Sequence, residues 1–280
     1  MTTAGRTTPG LWCLALAGVL TLAVGGVATA SPQGEPGEVQ WWDLLTEDAA
    51  GATRFYSELL GWDIERGPKG NYVVRLGGTP IAGISQIKDA LPGVSETTWL
   101  AGITVSDIET ASAAARRLGA RKHGEGRAEG YGQWADFEDP QGAPLMLVVP
   151  ERALGGAKGP GAWVWAELWT RDPEASVEFY EKVVGYERST VDRPGGPYPV
   201  FRSGGEPRAG IVTIENDRIE TAWAPYVGVA DLRATLKRAL ELGGRVLMEP
   251  RADQAEGRVA LVADPSGGAF FVYDLEEATK

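Results

Sequence analysis

The chain repeats itself at a nearly constant offset, which restricts it to two copies of one fold. Thr46-Glu47-Asp48 returns as Thr170-Arg171-Asp172, 124 positions on (170 minus 46). Phe55-Tyr56 returns as Phe179-Tyr180, Gly61-Trp62 as Gly185-Tyr186, Trp99 as Trp223, Asp107 as Asp231 and Gly119 as Gly243, all at the same offset. Asp139-Pro140-Gln141-Gly142 then returns as Asp264-Pro265-Ser266-Gly267, 125 on (264 minus 139), so one indel separates the copies. Each candidate site residue therefore has a counterpart.

Residues 1–30 are set apart from this repeat. A lone Arg6 precedes an apolar run from Leu11 to Val27, and Ala28-Thr29-Ala30 is a small-x-small cleavage signal before Ser31. The expectation is a signal peptide cleaved near Ala30 and a secreted or cell-envelope protein with no stable membrane association afterwards. The alternative is an N-terminal membrane anchor, since the run nearly reaches spanning length. Cys13 lies inside this segment, so residues 31–280 hold no cysteine, and disulfide and thiol chemistry are excluded there. Removing the leader removes one Arg and no acid, leaving a charge of 26 minus 38, or −12. Such a surface repels a phosphate backbone, so no nucleic-acid partner is expected, and it favours a cationic ligand over an anionic one.

The rest divides into a linker (31–37), domain one (38–150), a Gly-rich linker (151–160), domain two (161–275) and a tail (276–280). Asp48, Asp107, Asp172 and Asp231 each precede a helical stretch, and Gly61, Gly119, Gly185 and Gly243 follow them, which are good caps and stops. The spacing between the Asp residues is 59 in both domains (107 minus 48 and 231 minus 172), so each domain holds two modules. An extended segment precedes each helix: Val39 to Leu45, Thr98 to Val105, Trp163 to Trp169 and Ala222 to Val229. Short strand-like runs follow, and Asp-Pro-x-Gly suits a tight turn between two of them. The module reads strand, helix, then about three strands. The fold class is α+β, in tandem domains, each of two paired and closed βαβββ modules forming a curled mixed β-sheet cup.

Trp-Trp-Asp-Leu-Leu-Thr-Glu-Asp with Phe55-Tyr56 and Gly61-Trp62 is matched in domain two by Trp-Ala-Glu-Leu-Trp-Thr-Arg-Asp with Phe179-Tyr180 and Gly185-Tyr186. With the closing Asp-Pro-x-Gly strands, these residues resemble the vicinal oxygen chelate superfamily, which includes glyoxalase I, extradiol dioxygenases, fosfomycin-resistance and bleomycin-binding proteins. The resemblance covers residues 38–275 and speaks to fold more than to activity, because this fold hosts many chemistries and several pure binders. It implies metal ligands at positions occupied here by Trp41, Leu100 and Met146, and in domain two by Trp165, Ala224 and Phe271. None is an imidazole or a carboxylate, the donors such a site uses. The expectation is no metal and no cofactor. The chain's one histidine, His123, is expected exposed in a loop.

Asp43 and Glu167 lie two residues after Trp41 and Trp165, so strand alternation places each acid on the face of its Trp. Trp99 and Trp223 open the strands of the facing modules. Trp41, Asp43, Trp99, Trp165, Glu167 and Trp223 are therefore the candidate ligand-binding residues, with the segments Gly124 to Gly132 and Glu249 to Gly257 as rim loops. The expected partner is a small organic ligand, neutral or cationic, stacked on Trp, with domain two favoured. Two functions remain open. One is an exported protein that binds a small molecule without a metal. The other is a superfamily enzyme of lyase or dioxygenase type with a non-standard site. No catalytic residue is assigned.

Overall fold

The computed structural model describes residues 34–275, apart from 68–69, 88–96, 129–130, 153, 194–195, 217–218 and 253. The expected leader and tail lie outside the described residues. Domain one runs β1 (Val39–Thr46), α1 (Ala49–Leu60), β2 (Asp63–Arg66), β3 (Tyr72–Leu76), β4 (Thr79–Gln86), β5 (Thr98–Thr104), α2 (Ile108–Arg117), β6 (Arg121–Ala128), β7 (Gly132–Glu138) and β8 (Pro144–Pro150). Domain two repeats the order as β9 (Trp163–Thr170), α3 (Pro173–Val184), β10 (Glu187–Arg193), β11 (Gly196–Ser203), β12 (Glu206–Thr213), β13 (Ala222–Val229), α4 (Leu232–Glu241), β14 (Arg245–Met248), β15 (Val259–Ala263) and β16 (Ala269–Asp274). A single 3-10 turn, Ala255–Gly257, precedes β15.

The four helices among the described residues begin where the Asp residues predict. Each aspartate accepts a hydrogen bond from the backbone N–H three residues on: Gly51, Thr110, Ala175 and Ala234, at 2.7–3.0 Å. Such a cap satisfies donors that the first helical turn leaves unpaired. Helices α1 and α3 end on Gly61 and Gly185 in the left-handed region, at φ 69° and 84°.

Each domain is one eight-stranded mixed sheet, in the orders β2-β3-β4-β1-β5-β8-β7-β6 and β10-β11-β12-β9-β13-β16-β15-β14. The two modules meet where β1 pairs antiparallel with β5, and β9 with β13. The expected closed pair is corrected: each sheet is open, ending on β2 and β6 or on β10 and β14. A β-bulge interrupts β1 at Gln40 and β9 at Val164, equivalent positions in the repeat. One extra residue re-aims the strand. Trp163 therefore joins the helix-side core while Trp165, two residues on, faces the cup.

The helix-side faces of both sheets share one core. A single buried cluster runs from Trp42, Phe55 and Tyr56 to Phe201, Phe270 and Val272. Helix α1 lies against α4, and α2 against α3. The junction is reciprocal. Tyr56 of domain one donates to Asp264 of domain two at 3.0 Å, and Tyr180 of domain two donates to Asp139 of domain one at 2.9 Å. Residues expected to be a free N-terminal linker also dock: Tyr186 donates to the Gly37 carbonyl and Ser203 to that of Pro36.

Candidate functional site

The opposite, concave face of each sheet is the cup. In domain one, Trp41, Met146, Val148 and Leu154 are buried together, with Val73, Tyr131 and Trp134 packed against them. Leu154 comes from the inter-domain linker. The glycines of this sheet leave room for large side chains. A Cβ on Gly102 would lie 3.0–3.3 Å from Trp41, and one on Gly126 would meet the Trp134 ring at 2.8 Å. Trp41 contacts Tyr131 edge to face at 4.8 Å, and the Tyr131 hydroxyl reaches the Met146 sulfur at 3.4 Å.

Two carboxylates belong to this cup. Asp43 accepts from the Trp41 indole N–H at 2.9 Å, as their shared face predicts. Asp136 lies on β7, aligned with Met146 on β8 and Gly124 on β6. Both are half-buried. Burial pushes Asp43 up to about 6, the Trp41 hydrogen bond pulling the other way. Burial, and secondarily the charge of Asp43, pushes Asp136 up to about 7. Burial and then these same two charges hold the Tyr131 hydroxyl well above its usual range. Sequence reasoning missed Asp136 and Tyr131. The legible signal for Asp136 was the alternation Trp134-Ala135-Asp136-Phe137, whose domain-two copy has Leu261 in place of the acid.

These shifts give a stability prediction. Both folded pKa values exceed the unfolded Asp value of about 3.9, so the folded state binds the extra protons and loses stability as pH rises from about 4 to above 7. Asp43→Asn and Asp136→Asn should each gain on wild type across that window, by on the order of 2–4 kcal/mol and less than additively. Thermal melts at pH 4 and pH 8 test this; a difference from wild type that does not grow with pH would refute it.

The domain-two cup is built differently. Trp169, Val212, Ile214, Tyr226, Phe271 and Tyr273 fill it, with Trp165 packed at its edge. Tyr226, stacked on Phe271 at 4.3 Å, stands where domain one has Gly102. Glu167 is wholly buried and accepts three hydrogen bonds: Tyr198 at 2.5 Å, Tyr226 at 2.6 Å and Trp169 at 3.0 Å. The Trp165 indole donates to the Tyr198 hydroxyl at 3.0 Å rather than presenting its N–H to the cup. Burial raises the Glu167 carboxyl against the pull of those donors. Every oxygen of this acid is engaged within the chain, so the geometry favours domain one over the expected domain two.

Two candidate residues are corrected in place. Trp99 and Trp223 lie in the helix-side core, each 2 % exposed, not in the cups. Trp99 aligns with Leu44 and Trp223 with Leu168, both core positions, and Trp223 donates to Tyr180 at 2.8 Å. His123 is also corrected. It occupies the bulge of β6, its side chain 8 % exposed, with Nε2 3.7 Å from Glu138 Oε2. Of the expected rim loops, Gly124 to Ala128 is strand, and Ala255–Gly257 is a 3-10 turn.

The positions that metal-using relatives give to ligands do face the cups, but Trp41, Leu100 and Met146, like Trp165, Ala224 and Phe271, do not fit a divalent ion seeking imidazole and carboxylate. Among the described residues no group of three or more His, Cys, Asp or Glu side chains converges on one point.

Comparison with known proteins agrees with the repeat. The chain is 30 % identical over 249 residues to the Mycobacterium tuberculosis protein named "Putative glyoxylase CFP32", covering 86 % of this chain and 94 % of that one. It is 30 % identical over 266 residues to the Streptomyces peucetius protein named "Anthracycline biosynthesis protein DnrV", with the same coverages. In fold it is similar to the 2,2',3-trihydroxybiphenyl 1,2-dioxygenase of Sphingomonas wittichii, at a TM-score of 0.58, 14 % identity and coverages of 86 % and 91 %. It is also similar to the Mn(II)-bound glyoxalase of Novosphingobium aromaticivorans, at 0.55, 14 %, 86 % and 82 %. The family model for the glyoxalase-like domain matches residues 42–148 and again 164–273, so this chain belongs to that family, as a tandem two-domain member of the vicinal oxygen chelate superfamily.

Proposed function

We propose that the chain binds a small organic molecule, neutral or cationic, in the domain-one cup, without a metal ion. The observation that carries this is Asp136. It is a half-buried carboxylate on an aromatic-walled concave face, with no hydrogen-bond or ion-pair partner among the described residues, and Asp43 beside it accepts from the Trp41 indole. Two poorly solvated acids are costly unless something compensates them. One relative, 30 % identical, is named for anthracycline biosynthesis.

The test is calorimetric titration against a panel of flat aromatic compounds, comparing wild type with Trp41→Ala and Trp165→Ala. Losing the domain-one platform should cost about 1–3 kcal/mol, a tenfold or larger drop in affinity, while Trp165→Ala should change it little. The reverse order would return the site to domain two. A second reading, an enzyme acting by proton transfer, is favoured by the same pair, since acids poised near neutral pH suit general acid–base work.

Export is proposed alongside. N-terminal sequencing of the extracellular or periplasmic fraction should begin at Ser31; an intact Met1 in the membrane would mean an anchor instead.

A further inference from the structure

The platform proposed for the ligand is already covered. Trp41 is 6 % exposed and Met146 is 4 % exposed, so neither offers a face to a ligand as the structure stands. A flat molecule reaches them only if something withdraws. Among the buried members of this cluster, Trp41 lies on β1, and Met146 and Val148 lie on β8. Leu154, itself 6 % exposed, is the one that lies outside the sheet.

These covers are held differently. β1 is bonded to β4 and β5, and β8 to β5 and β7, so moving Trp41 or Met146 would break a ladder inside the sheet. Residues 154–158 have no such ladder. Among the described residues their backbone makes one hydrogen bond, from the Gly155 N–H to the Pro80 carbonyl at 3.2 Å. The span is fixed beyond both ends. Glu151 donates to the Tyr131 carbonyl at 3.2 Å, and Gly161 donates to the Gly228 carbonyl at 2.7 Å. A segment with so few backbone bonds opens at far less cost than the sheet beneath it. Gly155 sets how closely the span lies on that sheet. Its φ is 69°, and a Cβ there would lie 2.5 Å from the Gln40 carbonyl oxygen, at the bulge of β1. A side chain at this position would therefore lift the span.

We propose that residues 154–156 are a displaceable strap over the domain-one cup, and that a flat apolar ligand takes the place of Leu154 against Trp41 and Met146. This rests on the reading that the domain-one cup is the binding site. The observed affinity is then the intrinsic one, reduced by the fraction of molecules in which the strap is open.

Residues 31–280 hold no cysteine, so Leu154→Cys and Val148→Cys in that chain each carry a single thiol in the same cluster. With a disulfide reagent at pH 8, Leu154→Cys should react about tenfold faster than Val148→Cys, or more, because the strap opens while the sheet stays folded. Equal rates would overturn the proposal, since Leu154 would then be released only with the sheet. Calorimetric titration with 2-naphthol at pH 7 is the second measurement. Leu154→Ala should bind it about tenfold tighter than wild type, although it melts at a lower temperature. Gly155→Ala should also bind it tighter, and because it keeps the leucine it makes no new cavity for the probe. A gain in Leu154→Ala without one in Gly155→Ala would mean that the probe fills a cavity, and would overturn the strap. Saturating 2-naphthol should speed the thiol reaction of Leu154→Cys; slowing it would show the strap shut over the ligand and would also overturn the proposal. Equal affinity in wild type and both variants would overturn the strap and leave the binding site standing. Failure of 2-naphthol to bind any of the three proteins would overturn both.

Discussion

Residues 34–160 expressed alone should fail to unfold cooperatively, and so should residues 161–275. The reason is that the helix-side core belongs to neither domain. Trp62 donates to the Gly161 carbonyl at 2.8 Å, and Trp163 donates back to the Ile81 carbonyl at 2.9 Å. Trp163 makes edge contacts across that boundary with Trp62 at 5.2 Å and Trp99 at 5.5 Å. Either half alone would expose these rings together with Tyr56 or Tyr180. Burial of one such side chain contributes about 1.5–3 kcal/mol, so losing several exceeds the whole stability of an ordinary domain. Each half should show a broad, low-amplitude thermal transition and bind a hydrophobic dye, and mixing the halves should restore a sharp one. A half that melts sharply as a monomer would show that its own core suffices.

Asp264→Ala should destabilise the intact protein by about 3–5 kcal/mol, and Asp139→Ala by a similar amount. Asp264 is fully buried and accepts from three donors: the Tyr56 hydroxyl and the backbone N–H groups of Ser266 and Gly268. Removing it strands those donors, and each buried unpaired group costs about 1–3 kcal/mol. Tyr56→Phe takes the donor from Oδ2 while Ser266 and Gly268 still hold Oδ1, so it should cost less, about 1–3 kcal/mol. The double variant should be less harmful than the sum, by roughly 1 kcal/mol or more, because the residues are partners. Denaturant unfolding of the four proteins checks the cycle. A cost for Asp264→Ala no larger than that of a surface change would mean the turn holds itself without the side chain.

Much of this architecture was legible in the sequence because it rests on local chemistry. Asp48, Asp107, Asp172 and Asp231 cap helices by contacts three residues away, and a repeat offset needs no tertiary knowledge. The pairing of Trp41 with Asp43 was legible through alternation. What alternation does not tell is which face of a strand looks at the helices. Trp99 and Trp223 went to the wrong side for that reason. Their partners Leu44 and Leu168 settle the matter only once the register is known. Gly124 and Gly126 suggest a loop by composition, but here they are strand positions emptied to admit Trp134, a close approach that a local pattern does not reveal. Asp136 was hidden because its partner in the cup, Asp43, is remote in sequence. The bulges at Gln40 and Val164 leave no compositional mark.

The exchange of tyrosines between the halves has the geometry of an isologous dimer, each partner giving what it receives, yet it is made within one polypeptide. In a dimer of identical chains any substitution appears twice, so a residue that plugs one binding cavity plugs both. Joining the halves in one chain removes that constraint. Tyr226 and Tyr198 can close over Glu167 in one cup while its twin places Trp41 over Gly102 and adds the acid Asp136. Under the proposed function, substitutions in the domain-two cup should register as changes in stability and substitutions in the domain-one cup as changes in ligand preference.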